Sequence, residues 1–301
     1  MGNDTIMNHQ QQYERYVALT EQGLERYVPN TQIAQAKLLD AMTYSLSAAG
    51  KRVRPVLTLA FCDALGGSLE AALPFACALE MIHTYSLIHD DLPCMDDDDT
   101  RRGIPSNHRM FGEASALLAG DALLSAAFET VLDKDYIGDT PPERVIPAAH
   151  RMAWASGLYG MAGGQLLDLE CISFDQNIDT AAQICLLKTA ALIEAAAAIG
   201  VELAGGGRIY LNAAASFARC LGLAFQMKDD LLNLEGDPEK MGKATGTDVR
   251  HGKLTFASLL GADECRRLAG ALTDCAEVYL DPFPSKDFLI WLARWLMDRE
   301  R

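Results

Sequence analysis

Positive charge is scarce in this sequence. Across 301 residues, 26 lysines and arginines face 41 aspartates and glutamates, a formal charge of −15. Nucleic acid requires a basic footprint and is therefore excluded as a partner. Phosphorylated small molecules are not excluded, because they need only a local basic patch or a metal. The eight cysteines form no CxxC pair and no finger spacing, which removes zinc modules and a disulfide framework from consideration. Most lie in apolar helical contexts, where a reduced thiol is a small core side chain. No secretory segment is visible in MGNDTIMNHQQQYERYV, which lacks a basic end followed by an apolar block. Ile6 stands where myristoylation prefers Ser or Thr. The most apolar window, Ala190 to Gly206, is broken by Glu194 and Glu202 and reads as too short to span a bilayer. The expectation is a protein without a membrane span in a reducing, cytoplasmic setting.

Strand signals are nearly absent as well. With 50% hydrophobic residues the chain can bury a sizeable core. Alanine and leucine recur at three- and four-residue spacing almost throughout, with breakers every fifteen to thirty residues. Helices are predicted over Asn8–Val28, Thr31–Ala49, Pro55 to Gly66, Ser68–Asp91, Gly112–Asp133 and Arg144–Gly157. They continue over Ala162–Cys171, Thr180–Gly205, Tyr210–Leu234, Leu254–Gly261 and Asp263–Leu280, and a final helix places Trp291, Leu292, Trp295 and Leu296 on one face. No fixed repeat and no linker marks a boundary. The expected fold is all-α, one domain over residues 1–301, a bundle of about ten or more helices.

Two places break this apolar monotony. In HTYSLIHDDLPCMDDDDTRRG, His83 to Gly103, six aspartates fall between Asp90 and Asp99 and are followed by Arg101 and Arg102. In FQMKDDLLNLEGDPEKMGKATGTDVRHGK, Phe225 to Lys253, a second apolar helix meets Asp229 and Asp230 and then a lysine-bearing loop. His83 and Ser86 share the helical face of Asp90, while Gln226 and Asn233 share that of Asp229. Two such helices set face to face enclose a cavity that is apolar below and rimmed by carboxylates. Opposed carboxylates repel unless cations lie between them. Mg²⁺ suits that role, because it takes few protein carboxylates and completes its shell with water and phosphate oxygens. The run Asp96 to Asp99 has no glycine, which argues against an EF-hand calcium loop. Lys51, Arg52 and Arg54, then Arg101 and Arg102, then Lys243 and Lys253 gather in three loops to supply an anion side. Taken singly, each charge reads equally well as solvated surface.

GKRVRP (Gly50 to Pro55), DDLPCMDDDDTRRG (Asp90 to Gly103), GQLLD (Gly164 to Asp168), KTA (Lys188 to Ala190) and FQMKDD (Phe225 to Asp230) occur in that order. In this the chain resembles the trans-isoprenyl diphosphate synthases, most closely the bacterial farnesyl diphosphate synthases, over about two-thirds of its length. The resemblance implies a helical bundle around a deep central cavity and a homodimer. The implied reaction is a head-to-tail condensation of isopentenyl diphosphate with dimethylallyl and geranyl diphosphate, ending at farnesyl diphosphate. It further implies Mg²⁺ on Asp90, Asp96 and Asp229, supported by Asp91, Asp168 and Asp230. The allylic diphosphate falls to Arg101, Lys188, Lys243 and Lys253, with Thr189 and Gln226 near the carbocation. Isopentenyl diphosphate falls to Gly50, Lys51, Arg54, His83 and Arg102. Tyr85, with Ser86 beside it, resembles the floor that limits product length. Asn233 departs from the family's usual third aspartate, Lys228 adds a cation beside the pair, and Asp97 to Asp99 read as electrostatic backing or a helix cap. A geranylgeranyl diphosphate synthase, a class I terpene cyclase and a non-catalytic synthase subunit are the alternatives.

Overall fold

The computed structural model describes residues 8–28, 33–235 and 253–298. Helices run α1 His9–Tyr27, α2 Ala36–Leu46, α3 Val53–Ala64, α4 Leu69–Asp90, α5 Asn107–Phe111, α6 Glu113–Leu132, α7 Lys134–Ile137, α8 Pro142–Ser156 and α9 Met161–Leu169. After a 3₁₀ turn come α10 Ile178–Cys185, a π-helical turn Leu186–Ala190, α11 Ala191–Leu203, α12 Arg208–Glu235, α13 Phe256–Leu260, α14 Ala262–Val278 and α15 Asp287–Asp298. The only strands among the described residues are β1 Thr100–Arg101 and β2 Ile104–Pro105, an antiparallel ribbon. The all-α reading therefore holds. The expected start of the second helix at Thr31 lies outside the described residues. The acidic stretch that reads as loop to Asn107 contains the ribbon, and α5 begins at its end.

Local chemistry explains the helix starts. Asn8 accepts from the Gln11 amide while the Gln11 side chain accepts from the Asn8 amide, a capping box that opens α1. Ser68 does the same one-sidedly for α4, accepting from Ala71 N. α4 is apolar all round, with Phe75 to Ile82 fully enclosed, and it occupies the centre of the bundle between α3, α6, α11 and α1. α11 packs on α3 so closely that a Cβ at Gly200 would stand 2.4 Å from the Thr58 carbonyl oxygen. A smaller core of Ala181, Cys185, Met227, Leu231, Phe256 and Cys265 joins α10, α12, α13 and α14.

The apolar run around Ala190 is longer than its glutamates make it look. α4, α6 and the continuous segment Ile178–Leu203 are each long and apolar enough to cross a membrane by length and composition. Glu194 and Glu202 do not interrupt that segment, because each is neutralised by a neighbouring helix. Arg219 of α12 reaches Glu194 at 2.7 Å, and Arg151 of α8 reaches Glu202 at 2.7 Å. In the bundle, 67% of the apolar window of α4 and of Ile178–Leu203 is buried inside the protein.

Both aspartate pairs end up toward the C-terminal end of their helices, Asp90 and Asp91 on α4 and Asp229 and Asp230 on α12. The negative end of a helix dipole repels carboxylates and favours cations there. The chain after α4 folds back on that end: Asp96 N donates to the Asp90 carbonyl at 2.9 Å and Asp97 N to that of Leu92 at 3.2 Å. This return places Asp96 beside Asp90 and sends Arg101 and Arg102 back toward α4.

Candidate active site

A π-helical turn holds two of the sequence-predicted residues, Lys188 and Thr189. Such turns carry an extra residue and are frequent at functional positions. Here α9 and α12 press against it. A Cβ at Gly164 would lie 2.2 Å from Lys188 N, and one at Gly222 would lie 2.5 Å from the Ala190 Cβ. The glycine of GQLLD and the glycine before FQMKDD thus let two helices reach one turn. Lys188 Nζ donates to Asp168 Oδ2 of α9 at 2.6 Å, and Thr189 Oγ1 donates to Gln226 Oε1 of α12 at 3.1 Å. Gln226 Nε2 donates to Asp230 Oδ1 at 3.0 Å, and Phe256 N donates to Asp230 Oδ2 at 2.7 Å. Asp230, only 4% exposed, therefore ties α12 to the start of α13 and orients Gln226.

On the opposite wall, Asp90 accepts from the Gln165 amide. Burial raises its carboxyl above the ordinary aspartate range, Lys188 partly offsets that, and Asp96 adds to the rise. Lys253 Nζ donates to Asp96 Oδ2 at 2.6 Å. Burial pushes the Asp96 carboxyl up, and the bond and charge of Lys253 more than offset it, so Asp96 lies below its ordinary value. Asp90, Asp96, Asp168, Lys188 and Lys253 thus act on one another from four separate segments. Lys243 lies outside the described residues.

The remaining acids of the first stretch have distinct placements. Arg101 bonds Asp91 through both Nε, at 2.8 Å, and Nη2, and also reaches Asp98 at 3.2 Å. Asp91 is 2% exposed, so this guanidinium is its ligand in the structure. Asp99 pairs with Arg109 of α5 at 2.9 Å, and Asp97 takes a left-handed turn at φ 51°. The run that reads as electrostatic backing holds Arg101 and α5 in place.

A second cluster has the opposite balance. Gly50, Arg54, His83 and Arg102 converge, and Tyr13 Oη donates to the Lys51 carbonyl at 2.7 Å, which fixes the corner they come from. A Cβ at Gly50 would stand 3.0 Å from the centre of the Arg102 guanidinium. Burial holds the His83 imidazole well below its usual range, and Arg54 and Arg102 lower it further, so it is neutral. Burial also lowers Arg54 to about 10, against the pull of Glu80 and Asp229 and with the push of Arg102. Arg54 Nε is buried without a hydrogen-bond partner. Guanidiniums this poorly compensated form a receptor for a dense anion.

Arg52 does not belong to that receptor, although it stands among the seven gathered cations of the sequence. Its Nε, Nη1 and Nη2 are taken by Glu21 at 2.7 Å, Glu80 at 2.8 Å and the Leu46 carbonyl at 2.7 Å. Sequence reasoning missed Glu80 and Gln165. Glu80 is the one acid in the apolar run before His83, and a buried charge there signals a partner. Gln165 sits inside a motif read only as a landmark.

Among the described residues, no three carboxylate, imidazole or thiol groups come close enough to hold a metal by themselves. Mg²⁺ takes one or two protein carboxylates and completes its shell with phosphate oxygens and water. Asp90 and Asp96 on the first wall and Asp229 on the second are suitable donors. The ammonium of Lys253 on Asp96 occupies a cation position beside them. Asp91 and Asp230 are engaged by protein donors.

An all-helical bundle with aspartate pairs near the ends of α4 and α12 and a separate arginine cluster is of the isoprenoid-synthase type. Residues 35–276 match the polyprenyl synthetase family. The chain is 44% identical over 269 residues to geranylgeranyl pyrophosphate synthase 7, chloroplastic, of Arabidopsis thaliana, covering 88% of this chain and 77% of that protein. The crystal structure of a FPP/GFPP synthase from Zymomonas mobilis superposes with a TM-score of 0.84 at 34% identity, covering 96% of this chain and 100% of that one. A geranyltransferase from Helicobacter pylori complexed with magnesium and isoprenyl diphosphate superposes at 0.82 and 28% identity, covering 95% and 96%. The protein belongs to the polyprenyl synthetase family and is a trans-prenyltransferase.

Gly164→Ala tests the pinched turn. The added methyl must displace the Lys188 backbone, and kcat/KM for prenyl transfer should fall by about a hundredfold, the scale of a 1 Å misplacement. Circular dichroism checks that helicity is kept.

Proposed function

We propose that this prenyltransferase condenses isopentenyl diphosphate head-to-tail with allylic diphosphates, with Mg²⁺, and carries the product to geranylgeranyl diphosphate. The observation that carries this reading is the pair of differently built anion sites. One mixes carboxylates with Lys188 and Lys253 and suits a metal-bridged diphosphate. The other, around Arg54, His83 and Arg102, suits a diphosphate held by protein donors alone. Only the first diphosphate leaves. A terpene cyclase has no need of the second site, and a non-catalytic subunit has no need to keep both aspartate pairs.

The chemistry follows from that division. The C1–O bond of the allylic substrate breaks and the diphosphate departs with the electron pair. The double bond of isopentenyl diphosphate then forms a bond to C1, and a proton lost from C2 restores a double bond, taken by the departed diphosphate. Bound Mg²⁺ supplies positive charge to the leaving oxygens. Lys188, Lys253 and Arg101 add fixed positive charge at the same place, which acts mainly on the transition state. Arg54, Arg102 and the neutral His83 orient the second substrate. The Thr189 hydroxyl and the Gln226 amide, joined to each other, direct oxygen dipoles toward the cation.

Geranylgeranyl is the product named for the Arabidopsis relative. A farnesyl product is the second reading, favoured by Tyr85. Tyr85 lies five residues before Asp90, about 7.5 Å along α4 at 1.5 Å per residue. Its ring meets that of His89 edge-on at 5.6 Å, and His89 Nε2 bonds the Leu117 carbonyl of α6 at 2.9 Å, so the ring is held in place. Ser86, on the face of Asp90, is small and bonds back to the His83 carbonyl at 2.8 Å.

We also place a second copy of the chain against α6 and α8. Leu117, Leu118, Ile146, Trp154, Leu158 and Tyr159 are exposed there, the last two by 73% and 60%, and apolar surface of that kind marks an interface. All eight cysteines are free thiols, which supports a reducing, cytoplasmic compartment.

Three measurements test these statements. Incubation with Mg²⁺, isopentenyl diphosphate and dimethylallyl diphosphate should give a mainly twenty-carbon product, and chelation should abolish it until Mg²⁺ is returned. A fifteen-carbon product would favour the second reading, and no product from any allylic primer would sink both. Tyr85→Ala should lengthen the main product, whereas an unchanged spectrum would remove Tyr85 from length control. Sedimentation should give the mass of two chains, and Leu118→Glu should shift it toward one.

A further inference from the structure

Glu80 lies on α4 three residues before His83 and is 1% exposed. Its neighbours Leu79 and Met81 are completely enclosed. A carboxylate at such depth is costly unless it is paired. One oxygen, Oε1, takes both pairings: Arg52 Nη1 at 2.8 Å and Arg102 Nη2 at 3.8 Å. These two arginines share a second property. Arg52 has φ 46° and Arg102 φ 55°, left-handed conformations that non-glycine residues adopt only when the surroundings hold them there. Both strained arginines therefore turn toward the same buried oxygen from different loops.

Their remaining contacts differ. Each of the three guanidinium nitrogens of Arg52 is engaged, by Glu21, Glu80 and the Leu46 carbonyl, and the side chain is buried. Arg102 has one bond, to the Ala48 carbonyl at 3.2 Å, and its guanidinium lies against Gly50. It is aligned by the charge of Glu80 while keeping donors for an anion. Arg54 feels the same carboxylate and keeps its Nε unpaired.

We infer that Glu80 is a positioning residue for the arginine-lined diphosphate site, with Arg52 as the strut that holds its carboxylate and Arg102 as the guanidinium it aims. Glu80 does not touch the ligand. It offsets the mutual repulsion of Arg52, Arg54 and Arg102, which without it would splay apart. This inference rests on the two-site reading above.

The experiment compares Glu80→Gln, Glu80→Asp and Glu21→Gln with the native enzyme, titrating each substrate separately. Glu80→Gln should raise the KM for isopentenyl diphosphate about tenfold or more, the scale of one lost charge-assisted alignment. The KM for the allylic diphosphate should stay within about twofold, as for an interaction specific to one substrate. Glu80→Asp keeps a charge for Arg52 but withdraws it from Arg102, and should show the same split. Glu21→Gln removes the outer partner of Arg52 and should leave both KM values unchanged. Equal changes for both substrates, no change, or loss of the fold in both Glu80 variants would mark Glu80 as a purely structural ion-pair partner and overturn the inference. An inactive native enzyme would instead overturn the two-site reading.

Discussion

An apolar bundle that gathers many charges at one end must neutralise them before any ligand arrives, and this constraint governs the arrangement of the protein. Asp96 takes Lys253, Asp168 takes Lys188, Asp91 takes Arg101, and Glu80 takes Arg52. Buried and partly buried pairs of this kind contribute little net stability, because desolvation offsets their attraction. They hold side chains from separate segments in fixed register: Lys253 on Asp96 and Lys188 on Asp168. The arginine cluster is deliberately less complete, with Arg54 held to about 10 by burial and a neutral His83 beside it. Arg54 Nε is left there without a hydrogen-bond partner.

Such pairing requires side chains from distant parts of the chain to meet at 2.6 to 2.8 Å, and small residues make that approach feasible. Gly164 and Gly222 admit α9 and α12 to the π-helical turn, and Gly50 admits the Arg102 guanidinium. A Cβ would clash at Gly164 and Gly222 and would press on the Arg102 guanidinium at Gly50. The consequence is a continuous chain of bonds from Thr189 through Gln226 and Asp230 to the first amide of α13. That chain couples the π-helical turn to α12 and the start of α13, so polar bonds as well as apolar packing join it to the small second core.

The helices were largely legible, because an apolar residue every three or four positions has one efficient solution, burial against other helices. Their ends shifted where polar groups override periodicity. The first aspartate stretch was legible as a site, yet its internal division was not. Asp91 and Asp90 are adjacent, so successive side chains on a helix point about 100° apart, and only one of them can share the cleft with Asp96. Arg101 and Arg102 are adjacent as well, and the left-handed turn at Arg102 sends them to different partners. Arg52 stands in the sequence beside Arg54, yet each of its three guanidinium nitrogens is engaged inside the protein.

By itself, the sequence determined the class of fold, the two acidic helix ends and the order of motifs along the chain, because periodicity and composition are local properties. Its formal charge of −15 also leaves no broad basic footprint of the kind nucleic acid needs. Only the tertiary structure decided which charges face the cleft and which brace it. That choice depends on distances between residues such as Asp96 and Lys253, far apart in the chain and 2.6 Å apart in space. A carboxylate's role is set by the nearest opposite charge and by its access to water, and neither is encoded in its neighbours along the sequence.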